Sequence, residues 1–243
     1  MQPTRGSWKQ VALLAFAATL IFSVAAAAQN LTTGYVPGVQ LSPSQFAQVA
    51  VSNISAASVR TTITVLNADG STFMTKTTTV AANKTFVFRF QNGSTTAVYS
   101  AVVTSSVASS IVCDLQVLGS NNEVIAILQP QPNPANLVQN TPSHRLVPGQ
   151  SAIATVTNIT TTTSQFSLTV LDVNGNIVLT EQSVSINPGQ TLSYSYSNTG
   201  TVNNSYRAVV SASTASSVIS NVLLFDKTTG KINAILLPQP NPA

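Results

Sequence analysis

Apolar and polar residues alternate along several short stretches of the chain, with the two-residue period of a β-strand. An early stretch carries small and branched apolar residues at every second position, and a later stretch carries aromatic residues in the same way. Side chains two residues apart share one face of a strand, so we expect these residues to face a core. They are Ala47, Val49, Val51, Phe86, Phe88 and Phe90.

The whole pattern returns about 105 residues later. Asn53 matches Asn158 at an offset of 105, and Ile127 matches Ile235 at an offset of 108. Both copies end in nearly the same stretch, AILQPQPNPA and AILLPQPNPA, whose prolines stop a strand because proline has no N–H to donate. The change of offset implies three single-residue length changes. One of them, between the first hairpin turn and the aromatic strand, is either a lengthened hairpin or a β-bulge.

Glycines mark the tightest turn of each copy. Gly70 follows Asp69, Gly175 follows Asn174, and both dipeptides favour the positive φ of a tight hairpin. Each copy has about seven strand signals, and no segment after the leader has a sustained helical period. The sequence predicts an all-β protein of two tandem antiparallel β-sandwich domains. The predicted parts are a signal peptide at 1–28, an extended lead-in at 29–40, a first sandwich at 41–132, a Pro/Asn linker at 133–144 and a second sandwich at 145–243.

A late strand of each copy begins with Tyr-x-Ala-x-Val, at Tyr99 and at Tyr206. With this motif, residues 41–132 and 146–240 resemble the immunoglobulin-like or fibronectin-type-III-like modules of secreted bacterial proteins. The resemblance implies that each tyrosine makes a corner in which its hydroxyl bonds to the backbone upstream. The chain departs from the family pattern in two ways. It has no Cys–Trp–Cys set, and two predicted strands follow the tyrosine strand where the fibronectin pattern has one.

The N-terminus has the three parts of a secretory leader. Arg5 and Lys9 supply the positive part, an apolar run follows, and the small residues Ala26, Ala27 and Ala28 precede Gln29, where we expect cleavage. An uncleaved membrane anchor is the alternative.

Of the ten Lys and Arg residues, two lie in this leader, which leaves eight scattered cations against six Asp and Glu. Scattered cations do not form a phosphate track, so nucleic acid is not an expected partner. We expect a secreted protein, extracellular or periplasmic and bacterial, that has no membrane contact after cleavage.

The sequence supplies little for catalysis. Its one histidine, His144, falls in the predicted linker, where a catalytic triad cannot be assigned to it. Its one cysteine, Cys113, is expected to be a buried thiol, with an intermolecular disulfide as the alternative. Asp172, Asn174 and Asn176 alternate as in a calcium loop, but the glycine and glutamate that an EF-hand needs further on are missing. We therefore expect no catalytic residue, metal ion or cofactor.

The leading functional hypothesis is a secreted, non-enzymatic structural or adhesive protein. The alternative is an extracellular module that binds a glycan or a protein through loops at the sandwich ends, 92–97 and 199–205.

Each copy has its own aromatic strand, so we expect each to fold on its own. The prolines that follow the last strand blunt an exposed sheet edge and favour a monomer over a filament formed by strand donation.

Overall fold

The computed structural model describes residues 33–119, 123–129, 137–226, 228–229 and 232–238. These residues form seventeen β-strands and no helix, so the predicted all-β fold is confirmed. Within the described ranges, no helix has the length and apolar character that a membrane span needs. The predicted leader at 1–28 and most of the proline stretches after each last strand, 130–135 and 239–243, lie outside the described residues.

The first sandwich consists of two four-stranded antiparallel sheets. Its strands are β1 (Thr33–Leu41), β2 (Phe46–Asn53), β3 (Val59–Asn67), β4 (Thr72–Val80), β5 (Thr85–Gln91), β6 (Ala97–Ser105), β7 (Ile111–Leu118) and β8 (Val124–Leu128). One sheet has the order β1-β6-β3-β4 and the other the order β5-β2-β7-β8. Apolar side chains from both sheets meet in one buried cluster, as the alternating pattern predicts.

The second sandwich repeats this plan. Its strands are β9 (Val138–Asn140), β10 (His144–Leu146), β11 (Ser151–Asn158), β12 (Ser164–Asp172), β13 (Ile177–Ile186), β14 (Thr191–Ser197), β15 (Asn204–Ala212), β16 (Val218–Phe225) and β17 (Ile232–Leu236). One sheet has the order β10-β15-β12-β13, with β9 also paired to β15, and the other has the order β14-β11-β16-β17. Strand for strand, the two sandwiches therefore have equivalent sheets.

The strand order differs from that of an immunoglobulin domain. There the first strand lies beside the second and the seventh beside the sixth. Here β1 pairs with β6 and β7 pairs with β2, so the first and seventh strands have exchanged sheets. An eighth strand, β8, then extends the sheet beyond β7. The resemblance to immunoglobulin-like modules is therefore one of sandwich architecture and not of topology.

The segment expected to be a lead-in forms a strand of the first sandwich instead. Within 29–40, the described residues belong to β1, which pairs with β6 along its length. Val36, Val39 and Leu41 are almost fully buried, so the segment supplies part of the core. The register shifts between Val36 and Val39, which accommodates Pro37 and Gly38 in an otherwise paired strand.

The segment expected to be a linker is the equivalent strand of the second sandwich. β9 and β10 both pair with β15, and Pro142 lies in the gap between them. The sequence held a signal for this. Pro37 and Pro142, and likewise Leu41 and Leu146, are 105 residues apart, the offset of the neighbouring repeat markers. The repeat therefore includes these strands, and proline composition alone suggested a linker.

The length change expected between the first hairpin and the aromatic strand is a β-bulge. β13 has one residue more than β4, and its register to β12 shifts between Phe166 and Leu168. Ser183 lies at this point with a φ of 51°, and its N–H donates to Ser167 Oγ. Positive φ at a non-glycine residue fits a bulge that bends an edge strand. The hairpin turns themselves keep the same length, with Gly70 at φ 87° and Gly175 at φ 83°.

Candidate functional site: the junction of the two sandwiches

The prediction that the Tyr99 hydroxyl bonds to the backbone upstream is wrong for the first sandwich. The Tyr99 hydroxyl donates to Asn92 Oδ1 at 3.0 Å rather than directly to the backbone. Asn92 Nδ2 in turn donates to the carbonyl oxygens of Leu41 and Thr95, both within 3 Å. The asparagine therefore ties the end of β1 to the loop at 92–97, and Tyr99 orients that asparagine. This loop and the one at 199–205 lie at the same end of their sandwiches as the two hairpin turns.

His144 lies in a buried aromatic cluster of the second sandwich and not in a linker. It pairs with Tyr206 across β10 and β15, and its ring lies beside Tyr196 and Tyr206. Nδ1 lies 3.3 Å from the Pro142 carbonyl oxygen, which can only accept, so the ring proton is on Nδ1. Nε2 then accepts the Tyr196 hydroxyl at 2.6 Å. Burial lowers the pKa of His144, which favours this neutral ring.

The Cys113 thiol is inactive, and the carboxylates of Asp69 and Asp172 are occupied by hydrogen bonds. Burial, with a smaller effect of Asp114, raises the pKa of the Cys113 thiol to about 12, so the thiol stays protonated. Asp69 and Asp172 accept hydrogen bonds from their own hairpin turns, which lower the pKa of both carboxyl groups. No group of three or more His, Cys, Asp or Glu side chains that could hold a metal ion occurs in the described parts of the chain. Asp69 and Asp172 therefore stabilise their hairpin turns, and Cys113 packs in the core.

One set of polar contacts between the copies involves the bulge of β1. Gly38 N donates to Thr157 Oγ1 at 3.2 Å, and Asn221 Nδ2 donates to Gly38 O at 2.9 Å. The Thr155 hydroxyl lies 3.3 Å from the same oxygen and donates to Asn221 Oδ1 at 2.6 Å. The backbone N–H and C=O of Gly38 are thus held by two side chains of the second sandwich, Thr157 and Asn221, and Thr155 orients Asn221. A β-carbon at position 38 would overlap Thr191 Cγ2, so the contact needs glycine.

The hairpin turn of the first sandwich makes a second contact with the second sandwich. Thr191 N donates to Ala68 O at 2.8 Å. A β-carbon added to Gly70 would lie 2.5 Å from Pro188 O, so the two turns are in close contact. Gly189, in the opposing turn, has a φ of 70° and approaches Leu66. The equivalent glycine of the second sandwich, Gly175, has open space around its α-carbon.

Apolar side chains complete this junction. Ile153, Leu223, Phe225 and Ile232 belong to the second sandwich, yet they pack in the core cluster of the first. All four are buried. Burial of a Leu or Ile side chain contributes roughly 1.5–3 kcal/mol, so these contacts are a substantial part of the stability of the pair. The two sandwiches share a continuous apolar interior where β1 lies against β11 and β16.

The first sandwich carries polar residues at the positions equivalent to Ile153 and Leu223. Ile153 and Leu223 are cross-strand partners on the outer face of the second sandwich. The equivalent partners on the first are Gln48 and Gln116, whose amides are hydrogen-bonded to each other at 2.8 Å. At this pair of positions the covered face carries aliphatic residues, whereas its uncovered counterpart carries glutamines. The sequence itself thus encodes the junction, although this is evident only once the two copies are aligned strand by strand.

A groove of about 200 Å³ opens beside the junction. Tyr35, Leu66 and Ser100 line it from the first sandwich, and Thr160 and Gly189 line it from the second. The Ser100 hydroxyl is buried there without a hydrogen-bond partner. Its lining carries no charged side chain, so the groove suits only a small neutral group such as water or an uncharged side chain.

Comparisons with known proteins give no family for the chain. No family model matches it, and no curated protein is similar to it in sequence. Solved structures with partial likeness include the Thermotoga maritima protein 1070, with 13% identity over 43% of this chain and 91% of that one and a TM-score of 0.32. A putative secreted protein from Parabacteroides distasonis has 8% identity over 86% and 81% of the two chains, with a TM-score of 0.18. Bacteroides uniformis β-glucuronidase 2 has 14% identity over 84% of this chain and 25% of that one, with a TM-score of 0.19. Likenesses this distant support no inference about function.

Proposed function

We propose that the chain is a secreted, non-enzymatic structural protein, of the adhesive or surface-forming kind, that acts as one stiff unit of two sandwiches. The observation that carries this proposal is the junction. The hydrogen-bonded backbone of Gly38 and the buried side chains of Ile153 and Leu223 hold the two units in one arrangement. Flexible tethers let domains reorient, whereas a shared apolar interior keeps their spacing and direction fixed. Fixed spacing is what a load-bearing or spacing element requires.

The test replaces the junction residues by those of the exposed face. In the source organism, the Ile153→Gln and Leu223→Gln double variant is exchanged for the natural gene and compared with a deletion strain. If stiffness is the function, the variant is secreted at the normal level but fails to restore the surface attachment or envelope integrity that the deletion strain lacks. A matched control is Val87→Gln and Ile127→Gln, which changes exposed aliphatic residues of the first sandwich and should restore both. Full restoration by the junction variant would contradict the proposal.

The alternative is an extracellular module that binds a glycan or a protein through its end loops. It is favoured by one observation, a set of exposed aliphatic side chains at the end of the second sandwich that includes Val202 in the loop at 199–205. A glycan array with the mature chain separates the two functions. Selective binding that Val202→Thr abolishes would support the alternative, and an array without specific binding would leave the structural role in first place.

A further inference from the structure

The groove beside the junction has one side on each sandwich, and we call it the junction groove. On the first sandwich it is lined by the outer face of the sheet β1-β6-β3-β4, where Tyr35 pairs with Val102 and Leu66 pairs with Ser100. Val36, which follows Tyr35, is buried in the core, so the Tyr35 side chain lies on the outer face. Tyr35 is half-buried there and brings an aromatic ring to the groove.

The second sandwich lines the groove with Gly189 and with the loop at 159–161, which follows β11. This loop is held in place by its own hydrogen bonds. Asn158 Oδ1 accepts from Thr160 N at 2.8 Å, and the Thr160 hydroxyl donates to Thr162 O at 2.9 Å. Thr160 is half-buried and Thr161 is exposed. Two threonines on a fixed loop therefore border the groove.

The other copy of the repeat provides an internal comparison. The residue equivalent to Tyr35 is Asn140, and the residue equivalent to Thr161 is Ala56, both at the offset of 105. The alignment of the loops is supported by the hydrogen bond that an asparagine makes to the backbone in each of them. At these two positions, the aromatic ring and the hydroxyl thus occur only on the copy that borders the groove.

A surface of threonines continues from the groove along the first sandwich, and we call it the threonine face. It consists of two rows that run across the sheet, and its members are Thr64, Thr75, Thr33, Thr104, Thr62 and Thr77. The hydroxyl groups of Thr62 and Thr77 are 3.0 Å apart. Threonine is common on exposed strands, so this face alone identifies no ligand. Beside a groove, however, it offers a series of groups that can both donate and accept hydrogen bonds.

The charged residues of the first sandwich lie away from the groove lining. Asp69 is on the adjoining hairpin, where its carboxylate accepts from the N–H and the hydroxyl of Ser71 within 3 Å. Arg60 is four residues from the row of Tyr35 along β3, which is about 13 Å. Lys84 follows β4, beyond Arg60, and Lys76 pairs with a buried isoleucine and so lies on the other side of the sheet.

The second sandwich adds no charge to the groove. Its segments 158–171 and 182–193, which include the lining residues, contain no Asp, Glu, Lys, Arg or His. An anionic polymer or lipid surface requires clustered cations at the contact. The ligand chemistry that matches this lining is therefore neutral.

The size and the chemistry of the groove together favour a sugar ring. About 200 Å³ is less than the roughly 300–1,000 Å³ of a site for a drug-sized molecule, so one ring fills the groove. A sugar ring presents C–H groups that pack on a tyrosine ring, and its hydroxyl groups bond to threonine hydroxyls. A glycan that is longer than one unit leaves the groove along the threonine face.

We propose that the junction groove binds one unit of a neutral glycan, with Tyr35 packed against the sugar ring and Thr161 bonded to its hydroxyl groups. Neighbouring units lie on the threonine face. The proposal goes beyond the structural role and does not depend on it, because Ile153 and Leu223, which hold the junction, are different residues. It also places the glycan at the junction and not at the end loops.

Isothermal titration calorimetry of the mature chain tests the proposal. The probes are neutral hexasaccharides of glucose, xylose, mannose and N-acetylglucosamine, with hexagalacturonate as the acidic control. They are added up to about 10 mM, so that a Kd near 1 mM is measured. We expect at least one neutral probe to bind and hexagalacturonate not to bind.

Two variants that carry the residues of the other copy locate the site. Tyr35→Asn removes the aromatic packing and should weaken binding about tenfold. Thr161→Ala removes one hydrogen bond and should weaken it roughly twofold to tenfold. Thr161 is exposed, so this variant should keep the wild-type melting temperature and decides the test if Tyr35→Asn does not fold. Val202→Thr, in the end loop at 199–205, is the matched control and should bind like the wild type.

Several outcomes would overturn the proposal. One is a wild type that binds none of the neutral probes. Another is equal affinity of the wild type and Thr161→Ala, together with equal affinity of Tyr35→Asn where that variant folds. Loss of binding in Val202→Thr alone would assign the glycan to the end loops. Equally tight binding of hexagalacturonate would show that the site does not select neutral sugars.

Discussion

Buried asparagines hold the loops of both sandwiches. Asn158 Nδ2 donates to Thr162 O and Ile186 O, and its Oδ1 accepts from Thr160 N, all within 3 Å. Asn53 makes the same set of contacts in the first sandwich. The sequence marked these two asparagines as equivalent by their offset but gave no sign that they are buried. Composition indicates only that asparagine is common in turns, whereas its burial depends on strands that are distant in sequence.

Replacement of Asn158 should therefore destabilise the fold. Asn158→Ala leaves two carbonyl oxygens and one N–H without their partner, and a buried group without a partner costs about 1–3 kcal/mol. We expect the free energy of unfolding, from chemical denaturation, to fall by at least that amount. Asn174→Ala, on the exposed hairpin, is the control and should change it little. Equal curves for the two variants would show that the Asn158 contacts do not contribute.

The His144–Tyr196 pair predicts a dependence of stability on pH. The pKa of His144 is lowered in the folded state, so the folded protein binds fewer protons than the unfolded chain, whose histidine titrates near 6.5. The stability is fully present above about pH 6.5 and is lost as the pH falls below it. The first sandwich has Val39 and Phe90 at these positions, so His144→Val with Tyr196→Phe should fit. We expect this variant to lose less stability than the wild type between pH 7 and pH 5, as measured by denaturation at each pH. Parallel losses would contradict the role of His144.

At the scale of elements, the sequence predicted the strands well where they alternate and poorly where proline interrupts them. β2 and β5 follow the predicted alternation, whereas β11 is buried on both faces from Ala152 to Asn158 because its outer face is covered. β1, β9 and β10 were missed as strands of the sandwiches because Pro37 and Pro142 read as chain breaks. The pairing with β6 and β15 tolerates these prolines because each lies where the ladder is already interrupted.

The bulge of β1 provides the element-scale prediction. Gly38→Ala should open the junction, because its β-carbon would overlap Thr191 Cγ2 while the backbone C=O and N–H of residue 38 are held by Asn221 and Thr157. We expect a loss of about 1–3 kcal/mol in the free energy of unfolding, with both sandwich cores intact. Gly93→Ala is the control, since nothing lies within 4 Å of the added carbon. Small-angle X-ray scattering should show a wider range of interdomain distances for Gly38→Ala alone. An unchanged scattering curve would argue that this contact is not needed.

At the scale of the whole molecule, the repeat was evident in the sequence and the junction was not. Two like copies suggested two separate modules, each with its own aromatic strand. The difference between Ile153 and Leu223 on one copy and Gln48 and Gln116 on the other is readable only after strand-by-strand alignment. Even then, this difference indicates which face is covered, but it does not indicate which residues cover it. That information lies in contacts between residues more than 100 positions apart, such as Gly38 and Asn221.

The central claim is that the two sandwiches are one cooperative unit, and differential scanning calorimetry of the mature chain tests it most directly. We expect a single transition for the wild type, because unfolding of either sandwich exposes the shared apolar surface. The Ile153→Gln and Leu223→Gln double variant removes roughly 1.5–3 kcal/mol of burial at each position and should separate this transition into two. A wild type that already melts in two independent steps, or a double variant that melts in one step at the wild-type temperature, would contradict the claim.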